Sequence, residues 1–290
     1  MNWNQIDKII KDALEEDIKT GDITTDGIFS DNFFVSSLLF CKSGGVICGL
    51  EIFKRTFLLL SDLFKFNFKY KDGDSVKRNS IIGEIEGPVK ELLKGERTAL
   101  NFLQRLSGIA TETRKLVKEA KKIKIYDTRK TTPNLRVLEK YAVKIGGGEN
   151  HRFGLFDMVL IKDNHLKAIM EKENFDKVSA INFAIQRVKE YTKGKFKIEI
   201  EVKNFKEALA AYEKGVDIIM FDNAKINDIK KFCLFKKGKR ICEVEVSGNI
   251  DLKKLKKLKN LNIERISVGS ITHSPKAVDF SLKIKNFIKS

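Results

Sequence analysis

The chain has 290 residues, 42% of them hydrophobic, and carries 56 Lys and Arg against 39 Asp and Glu, a formal net charge of +17. A chain of this length buries most of its apolar surface unaided, and its four cysteines (Cys41, Cys48, Cys233, Cys242) form no CxxC pair, which argues against a disulfide framework or a zinc site and suits a reducing cytoplasm. No apolar run approaches the roughly 20 residues of a bilayer span, and the polar start Met1-Asn-Trp-Asn-Gln-Ile-Asp-Lys lacks a signal-peptide core.

The positive charge resides mostly in scattered lysines. Their densest run, Leu252–Lys259, repeats leucine every three residues, as one apolar stripe of a helix with a solvated lysine face. Without a reading motif such charge is a weak footprint for nucleic acid, and it suits a site for anionic small molecules better.

In chain order, residues 4–16 place Ile6, Ile9, Ile10 and Ala13 as an amphipathic helix, ended by Thr20-Gly21-Asp22. Residues 33–42 and 46–48 read as strands and 50–60 as a helix. Residues 64–70 alternate Phe or Tyr with polar residues, the pattern of a half-buried strand. Asp72-Gly73-Asp74 is a turn, and 80–86 is a further strand. The segment 91–106 carries Ala99, Leu100, Phe102, Leu103 and Leu106 on one face. Ser107-Gly108 is expected to break that helix, with a second running from Ile109 to Ala120.

From residue 123 one unit recurs: a short apolar strand, a polar loop, then a helix. The strands are 123–126, 157–161, 196–202, 216–221, 241–246 and 263–268. Six such βα units imply a parallel barrel or a doubly wound sheet. No G-x-G-x-x-G follows an early strand, so the barrel is favoured. The expected domains are an α/β domain over 1–108 and a barrel over 109–275, with a C-terminal helix over 276–290 that packs back on the first.

In a parallel barrel the loops after the strands converge on one face. Here they are Asp127-Thr128-Arg129-Lys130, Lys162-Asp163-Asn164-His165, Asp222-Asn223, Ser247-Gly248-Asn249 and Gly269-Ser270-Ile271-Thr272-His273. All three histidines (His151, His165, His273) fall in or beside these loops. Arg129, Lys130, Arg152 and Lys162 bring positive charge, with arginine as a planar fork for carboxylates. Glu199 and Glu201 share one face of their strand by its period of two, and two inward acids need a metal, a diol or a cation. Asp222 ends the next strand. The two late loops are small enough for backbone N–H groups to approach a phosphate. Gly146-Gly147-Gly148 is no P-loop, since no Gly-Lys-Ser/Thr follows, and is expected to be a flexible loop that places His151 and Arg152.

Read together, these segments resemble the quinolinate phosphoribosyltransferase family almost end to end. The resemblance is carried by Glu16-Asp17…Gly21-Asp22-Ile-Thr24-Thr25, Glu96-Arg97-Thr-Ala-Leu-Asn101-Phe-Leu-Gln104-Arg105-Leu-Ser-Gly108-Ile-Ala-Thr111, Asp127-Thr-Arg-Lys-Thr131, His151-Arg152, Leu160-Ile-Lys162-Asp-Asn-His165, Glu199-Ile-Glu201-Val, Phe221-Asp222-Asn223 and Thr272-His273-Ser274. It implies an N-terminal α/β sandwich and a C-terminal (β/α) barrel of the type II phosphoribosyltransferase kind, with fewer than eight strands. It also implies a cytoplasmic enzyme that uses Mg²⁺, quinolinate and phosphoribosyl pyrophosphate, without nucleic acid or membrane. Its assembly would be a homodimer or higher homo-oligomer with shared sites.

By matching positions, Thr128, Arg129, Lys130, His151, Arg152 and Lys162 would contact substrate, and Arg97 would reach it from the other subunit. Glu201 and Asp222 would hold the ribose and, through water, Mg²⁺. Ser247-Gly248-Asn249 and Gly269-Ser270-Ile271 would cradle phosphate, with His273 nearby. Lys130, Glu201 and Asp222 are the expected catalytic set. Asn249 stands where the family usually has a second glycine, and Ser270 where it often has alanine. A Schiff-base aldolase using Lys162, a relative binding another anion, and a biotin-type carrier built on Lys71–Val76 are the rivals; the intact Thr-Arg-Lys and His-Arg motifs favour the phosphoribosyltransferase.

Overall fold

The computed structural model describes residues 2–239 and 241–288. Two compact units result. The first takes in the chain up to Arg114, Thr131–Gly147 and the chain from Ser270 onward; the second comprises Lys115–Lys130 and Gly148–Gly269.

Helix α1 (Trp3–Ile18) buries Ile6, Ile10 and Leu14 at helical spacing and is capped by the Asn2 side chain, which accepts the Gln5 N–H. Helix α2 (Ile23–Ile28) is capped by Asp22, which accepts the N–H groups of Thr24 and Thr25. Strands β1 (Phe34–Cys41) and β2 (Gly45–Val46), helix α3 (Leu50–Leu58), strands β3 (Lys65–Phe68), β4 (Ser75–Val76) and β5 (Ser80–Pro88) and the long helix α4 (Val89–Ala120) follow. Beyond α4 come β6 (Lys124–Tyr126), α5 (Arg136–Ile145), β7 (Val159–Ile161), α6 (Asp163–Glu173), α7 (Lys177–Thr192), β8 (Ile198–Val202), α8 (Phe205–Glu213), β9 (Ile218–Asp222), α9 (Ile226–Lys236), β10 (Glu243–Ser247), α10 (Leu252–Leu258), β11 (Arg265–Ser267), α11 (Ser270–His273) and β12 (Phe280–Phe287).

In the first unit an antiparallel sheet of order β12-β1-β5-β3 is covered by α3 and α4. Phe53 and Phe57 of α3 and Leu92, Ala99 and Leu103 of α4 pack with Leu39, Ile82 and Ile85 of the sheet. This is the expected α/β sandwich.

Two local expectations are corrected here. The C-terminal segment is a strand, not a helix: Cys41 pairs with Phe280 and Leu39 with Leu282, antiparallel along β1. Phe280, Leu282 and Ile284 alternate with Ser281, Lys283 and Lys285, a period of two that fits the open edge of β1. Lys289 and Ser290, the end of the expected helix, lie outside the described residues. Nor does Ser107-Gly108 break a helix, for α4 runs through both. A Cβ at Gly108 would sit 2.5 Å from the Lys276 carbonyl oxygen. The glycine permits close approach of another backbone rather than a turn.

The second unit holds a six-stranded parallel sheet of order β6-β11-β10-β9-β8-β7. Each strand from β7 to β10 pairs with its successor, and the last of the sheet, β11, returns to pair with the first, β6. Pairing of last with first is what a closed ring requires, and it leaves the one gap between β6 and β7. On the β6 side, Glu149 makes a parallel bridge to Tyr126. In-register partners in a parallel sheet share a face. Glu201 pairs with Met220 and Met220 with Glu245, Glu245 pairs with Arg265, and Ser247 with Asp222, so these side chains all lie on one, largely polar face. The opposite face is apolar and buried: Ile200, Val202, Ile219, Phe221, Val244, Val246 and Ile266.

Candidate active site

The loop after β6 starts with Asp127, which is fully buried and accepts the His151 N–H at 2.8 Å. Thr128 Oγ1 accepts the Lys130 N–H at 3.0 Å, a tight turn that leaves Lys130 exposed. Arg129 is half-buried, and its buried Nε has no hydrogen-bond acceptor. Arg152 donates from Nη1 to the Met158 carbonyl at 2.9 Å, and its Nε is likewise buried without an acceptor. Burial and then the nearby Arg129 guanidinium hold Arg152 below its usual basicity. Two guanidiniums therefore lie near each other with donors left over, which is costly unless an anion arrives.

Lys162 directly follows β7 and stands 3.9 Å from Glu201 on β8. Its backbone N–H donates to His165 Nδ1 at 2.9 Å, so His165 shapes the start of α6. Burial pushes the Glu201 carboxyl up, with Lys162 opposing and Asp222 adding to the rise. Asp222 accepts the Ser247 hydroxyl at 2.7 Å and the Asn223 amide at 3.2 Å. Asp163, beside Lys162, is held by Lys177 at 2.5 Å and Lys203 at 2.7 Å, and these lysines lower its pKa to about 2.

Deeper on the same sheet lies a cluster that the sequence reading found only in part. His151 Nε2 is 3.0 Å from Glu199 and 3.5 Å from Glu245, and both acids are fully buried. Glu245 also receives a short hydrogen bond from the Ser267 hydroxyl and lies 3.1 Å from Arg265 Nε. The Arg265 guanidinium stacks over Tyr126 at 4.0 Å and donates to Glu243 at 3.2 Å. Burial works against a charged His151 ring, but Glu199 and Glu245 outweigh it and raise its pKa to about 9. The Arg152 N–H, however, donates to His151 Nδ1 at 2.8 Å, and a protonated Nδ1 has no lone pair to accept it. The hydrogen bond is the firmer constraint and leaves one ring proton, on Nε2. The donor atoms of His151, Glu199 and Glu245 lie within 4.8 Å of one another, a spacing a metal ion could bridge. Arg265 already supplies a cation at Glu245, so the trio is better described as an ion network.

Glu245 did have a sequence signal. Glu243-Val-Glu245-Val-Ser247 repeats the alternation of Glu199-Ile-Glu201-Val, which places Glu245 and Ser247 on the same face.

Gly248 (φ 86) and Asn249 (φ 47) are both left-handed. Asparagine tolerates that conformation better than other non-glycine side chains, so Asn249 can hold the left-handed backbone there. A Cβ at Gly248 would collide with the Asn223 side chain. The expected flexible triglycine is instead tied down at its start, because Arg114 donates to the carbonyls of Ile145 and Gly146 at 2.9 Å each.

The site residues expected from the sequence divide between the units. Thr128, Arg129, Lys130, His151, Arg152, Lys162, Glu201, Asp222, Ser247, Gly248, Asn249 and Gly269 belong to the second. Arg97, Ser270, Ile271 and His273 belong to the first. Arg97 is exposed on α4 and lines a cleft of about 430 Å³ with Asp12, Glu16 and Asp17. Ile271 is buried in α11, and the exposed His273 places Nδ1 2.6 Å from the Ser274 hydroxyl.

Comparison with known proteins bears on this arrangement directly. Residues 22–107 match the family model for the quinolinate phosphoribosyl transferase N-terminal domain, and residues 109–283 the model for its C-terminal domain. This chain belongs to the quinolinate phosphoribosyltransferase family. A Bacillus subtilis relative named as a probable nicotinate-nucleotide pyrophosphorylase (carboxylating) is 39% identical over 286 residues, covering 98% of this chain and 95% of that protein. The chloroplastic Arabidopsis thaliana nicotinate-nucleotide pyrophosphorylase (carboxylating) is 36% identical over 293 residues, covering 95% and 82%. The crystal structure of NadC from Streptococcus pyogenes superposes with a TM-score of 0.92 at 40% identity, covering 100% of this chain and 99% of that one. Human nicotinic acid phosphoribosyltransferase shares the fold alone, at 11% identity and a TM-score of 0.61. Among the described residues no helix is long and apolar enough to cross a membrane.

Proposed function

We propose that this chain transfers the phosphoribosyl group of phosphoribosyl pyrophosphate to the ring nitrogen of quinolinate, releasing pyrophosphate and carbon dioxide and forming nicotinate mononucleotide for NAD biosynthesis in the cytoplasm. The carrying observation is the Arg129 and Arg152 pair, whose buried Nε groups lack acceptors. A pyridine with two adjacent carboxylates would satisfy both forks, with Lys130, Lys162 and Thr128 around them. Once the ring nitrogen has attacked the ribose carbon and pyrophosphate has left, the bond to the adjacent carboxylate breaks to release carbon dioxide; the electron pair left on that ring carbon is stabilised by the neighbouring pyridinium nitrogen and takes a proton from solvent.

Glu201 and Asp222 suit the ribose and a divalent ion. They lie near enough for Asp222 to raise Glu201, and Lys162 answers that charge only partly. Glu201 and Asp222 would hold Mg²⁺, which when bound would supply charge neutralisation for the departing pyrophosphate. Glu201 also stabilises positive charge at the ribose carbon. The 5′-phosphate is assigned to backbone N–H groups of Ser247-Gly248-Asn249 and Gly269, since the Ser247 hydroxyl is already donated to Asp222. The assembly is read as a homodimer in which Arg97 of the partner subunit completes each site.

Product analysis with phosphoribosyl pyrophosphate and Mg²⁺ tests the assignment. Quinolinate should yield nicotinate mononucleotide and carbon dioxide, whereas nicotinate, with one carboxylate for several cations, should yield none. Equal turnover of nicotinate without carbon dioxide would refute it.

A further inference from the structure

His151 is gripped at three points. Its backbone N–H goes to Asp127, its Nδ1 accepts the Arg152 N–H, and its Nε2 faces Glu199 at 3.0 Å. The second of these ties the ring's rotation to the backbone of the residue that carries the unsatisfied guanidinium. The ring can accept that N–H only if its proton sits on Nε2, and a proton on Nε2 needs an acceptor in a buried place.

Glu245 accepts the Ser267 hydroxyl on Oε1, and its Oε2 lies at ion-pair distance from Arg265 Nε, 3.1 Å, without a well-aligned hydrogen bond. Glu199 accepts no such hydroxyl. It is fully buried, and neither of its oxygens has a well-aligned hydrogen bond, although His151 Nε2 lies at ion-pair distance. A carboxylate left in that condition does not stabilise a fold. Its position is explained by what it does to the imidazole. The groups facing the ring are Glu199 from β8, Glu245 from β10, Tyr126 from β6 at 6.4 Å edge-on, and Asp127 and Arg152 from the adjoining loops, with Arg265 of β11 behind Glu245.

We propose that Glu199, backed by Glu245 and Arg265, is a positioning residue: it fixes the tautomer and rotation of the His151 ring and thereby the placement of Arg152 against the substrate's carboxylates. The substrate part of this rests on the function proposed above; the tautomer part does not.

The test pairs two substitutions with a spectroscopic readout. Glu199→Leu removes the acceptor, whereas Glu199→Gln keeps an oxygen for Nε2–H. For Glu199→Leu, kcat/KM for quinolinate should fall roughly 10- to 100-fold, the cost of misplacing a contact by about 1 Å. The loss should appear in KM for quinolinate, with KM for phosphoribosyl pyrophosphate and the unfolding midpoint unchanged. Glu199→Gln should restore activity to near the parent level.

With only three histidines in the chain, ¹⁵N-histidine NMR near neutral pH resolves each ring. His151 should carry a single proton on Nε2 in the parent and in Glu199→Gln, and a mixture of tautomers in Glu199→Leu. An unchanged His151 tautomer in Glu199→Leu overturns the proposal, and so does a Gln variant as impaired as the Leu one. If the parent protein turns over no quinolinate at all, the proposed function fails, and the NMR comparison still decides the role of Glu199.

Discussion

Arg105 in the first unit and Arg152 in the second are both half-buried arginines, yet their surroundings are opposite. Arg105 donates to the fully buried Glu139 at 2.8 and 2.6 Å, to Thr132 Oγ1 at 2.8 Å and to the Thr272 carbonyl at 2.9 Å, while Glu139 Oε2 accepts the Thr132 N–H. Nε and Nη2 of Arg105 and both oxygens of Glu139 are all used within the unit. Arg152 has the Met158 carbonyl, a second guanidinium nearby and an orphaned Nε. A buried charge whose donors are all occupied holds the fold together; one whose donors are left over waits for a ligand.

The contrast is sharpest in stability. Arg105→Ala strands Glu139 in an apolar interior and should lower unfolding stability by about 3–5 kcal/mol. Arg152→Ala should stay within about 1 kcal/mol of the parent and lose about 10²- to 10³-fold in kcat/KM for quinolinate. Denaturant midpoints alongside steady-state kinetics measure both. A stable but inactive Arg105→Ala, or an unstable Arg152→Ala, breaks the distinction.

Arg97 tests its reach, because it belongs to the first unit yet is exposed rather than saturated. If it serves the site of the partner subunit, Arg97→Ala and Lys130→Ala homodimers should each be nearly inactive. Co-refolding equal amounts should return roughly a quarter of parent activity, since about half the dimers are mixed and each has one intact site. No recovery despite demonstrated subunit exchange would place both residues in one protomer's site.

The smallest effect is expected at Asp163, where a carboxylate is saturated but exposed. Its folded pKa, lowered to about 2 by Lys177 and Lys203, lies below the ordinary aspartate value of 3.8. The stabilisation is therefore present above pH 3.8 and lost as pH falls towards 2. Solvent screening keeps it below about 1 kcal/mol. Asp163→Asn should flatten the acid limb of the stability curve by that amount, and an unaltered limb would mean the two lysines contribute nothing.

Much of the fold was legible because its signals are local. The strands from 124 to 267 are short apolar runs with polar ends, and a period of two places Glu199 and Glu201 on one face before any contact is known, whereas only the strand register puts Glu245 on that face too. The same rule applied to Phe280, Leu282 and Ile284 would have given the C-terminal strand in place of a helix. Gly108 was misread for another reason: from sequence, a glycine that breaks a helix and one that admits a neighbouring backbone look alike, and only the Lys276 carbonyl above it separates them. The triglycine is similar, since the Arg114 donors that hold its first carbonyl come from another helix.

The amino-acid sequence by itself determined the repeated βα units, the residue types gathered at their ends and membership of the quinolinate phosphoribosyltransferase family, because periodicity and motif spacing are written along the chain. Tertiary structure decided which of those charges are answered. Glu139 meets Arg105, Glu245 meets Arg265, and Arg129 and Arg152 lie near each other with their Nε groups left without acceptors. Those pairings join residues far apart in sequence, and their energies depend on burial and on angstrom-scale distance.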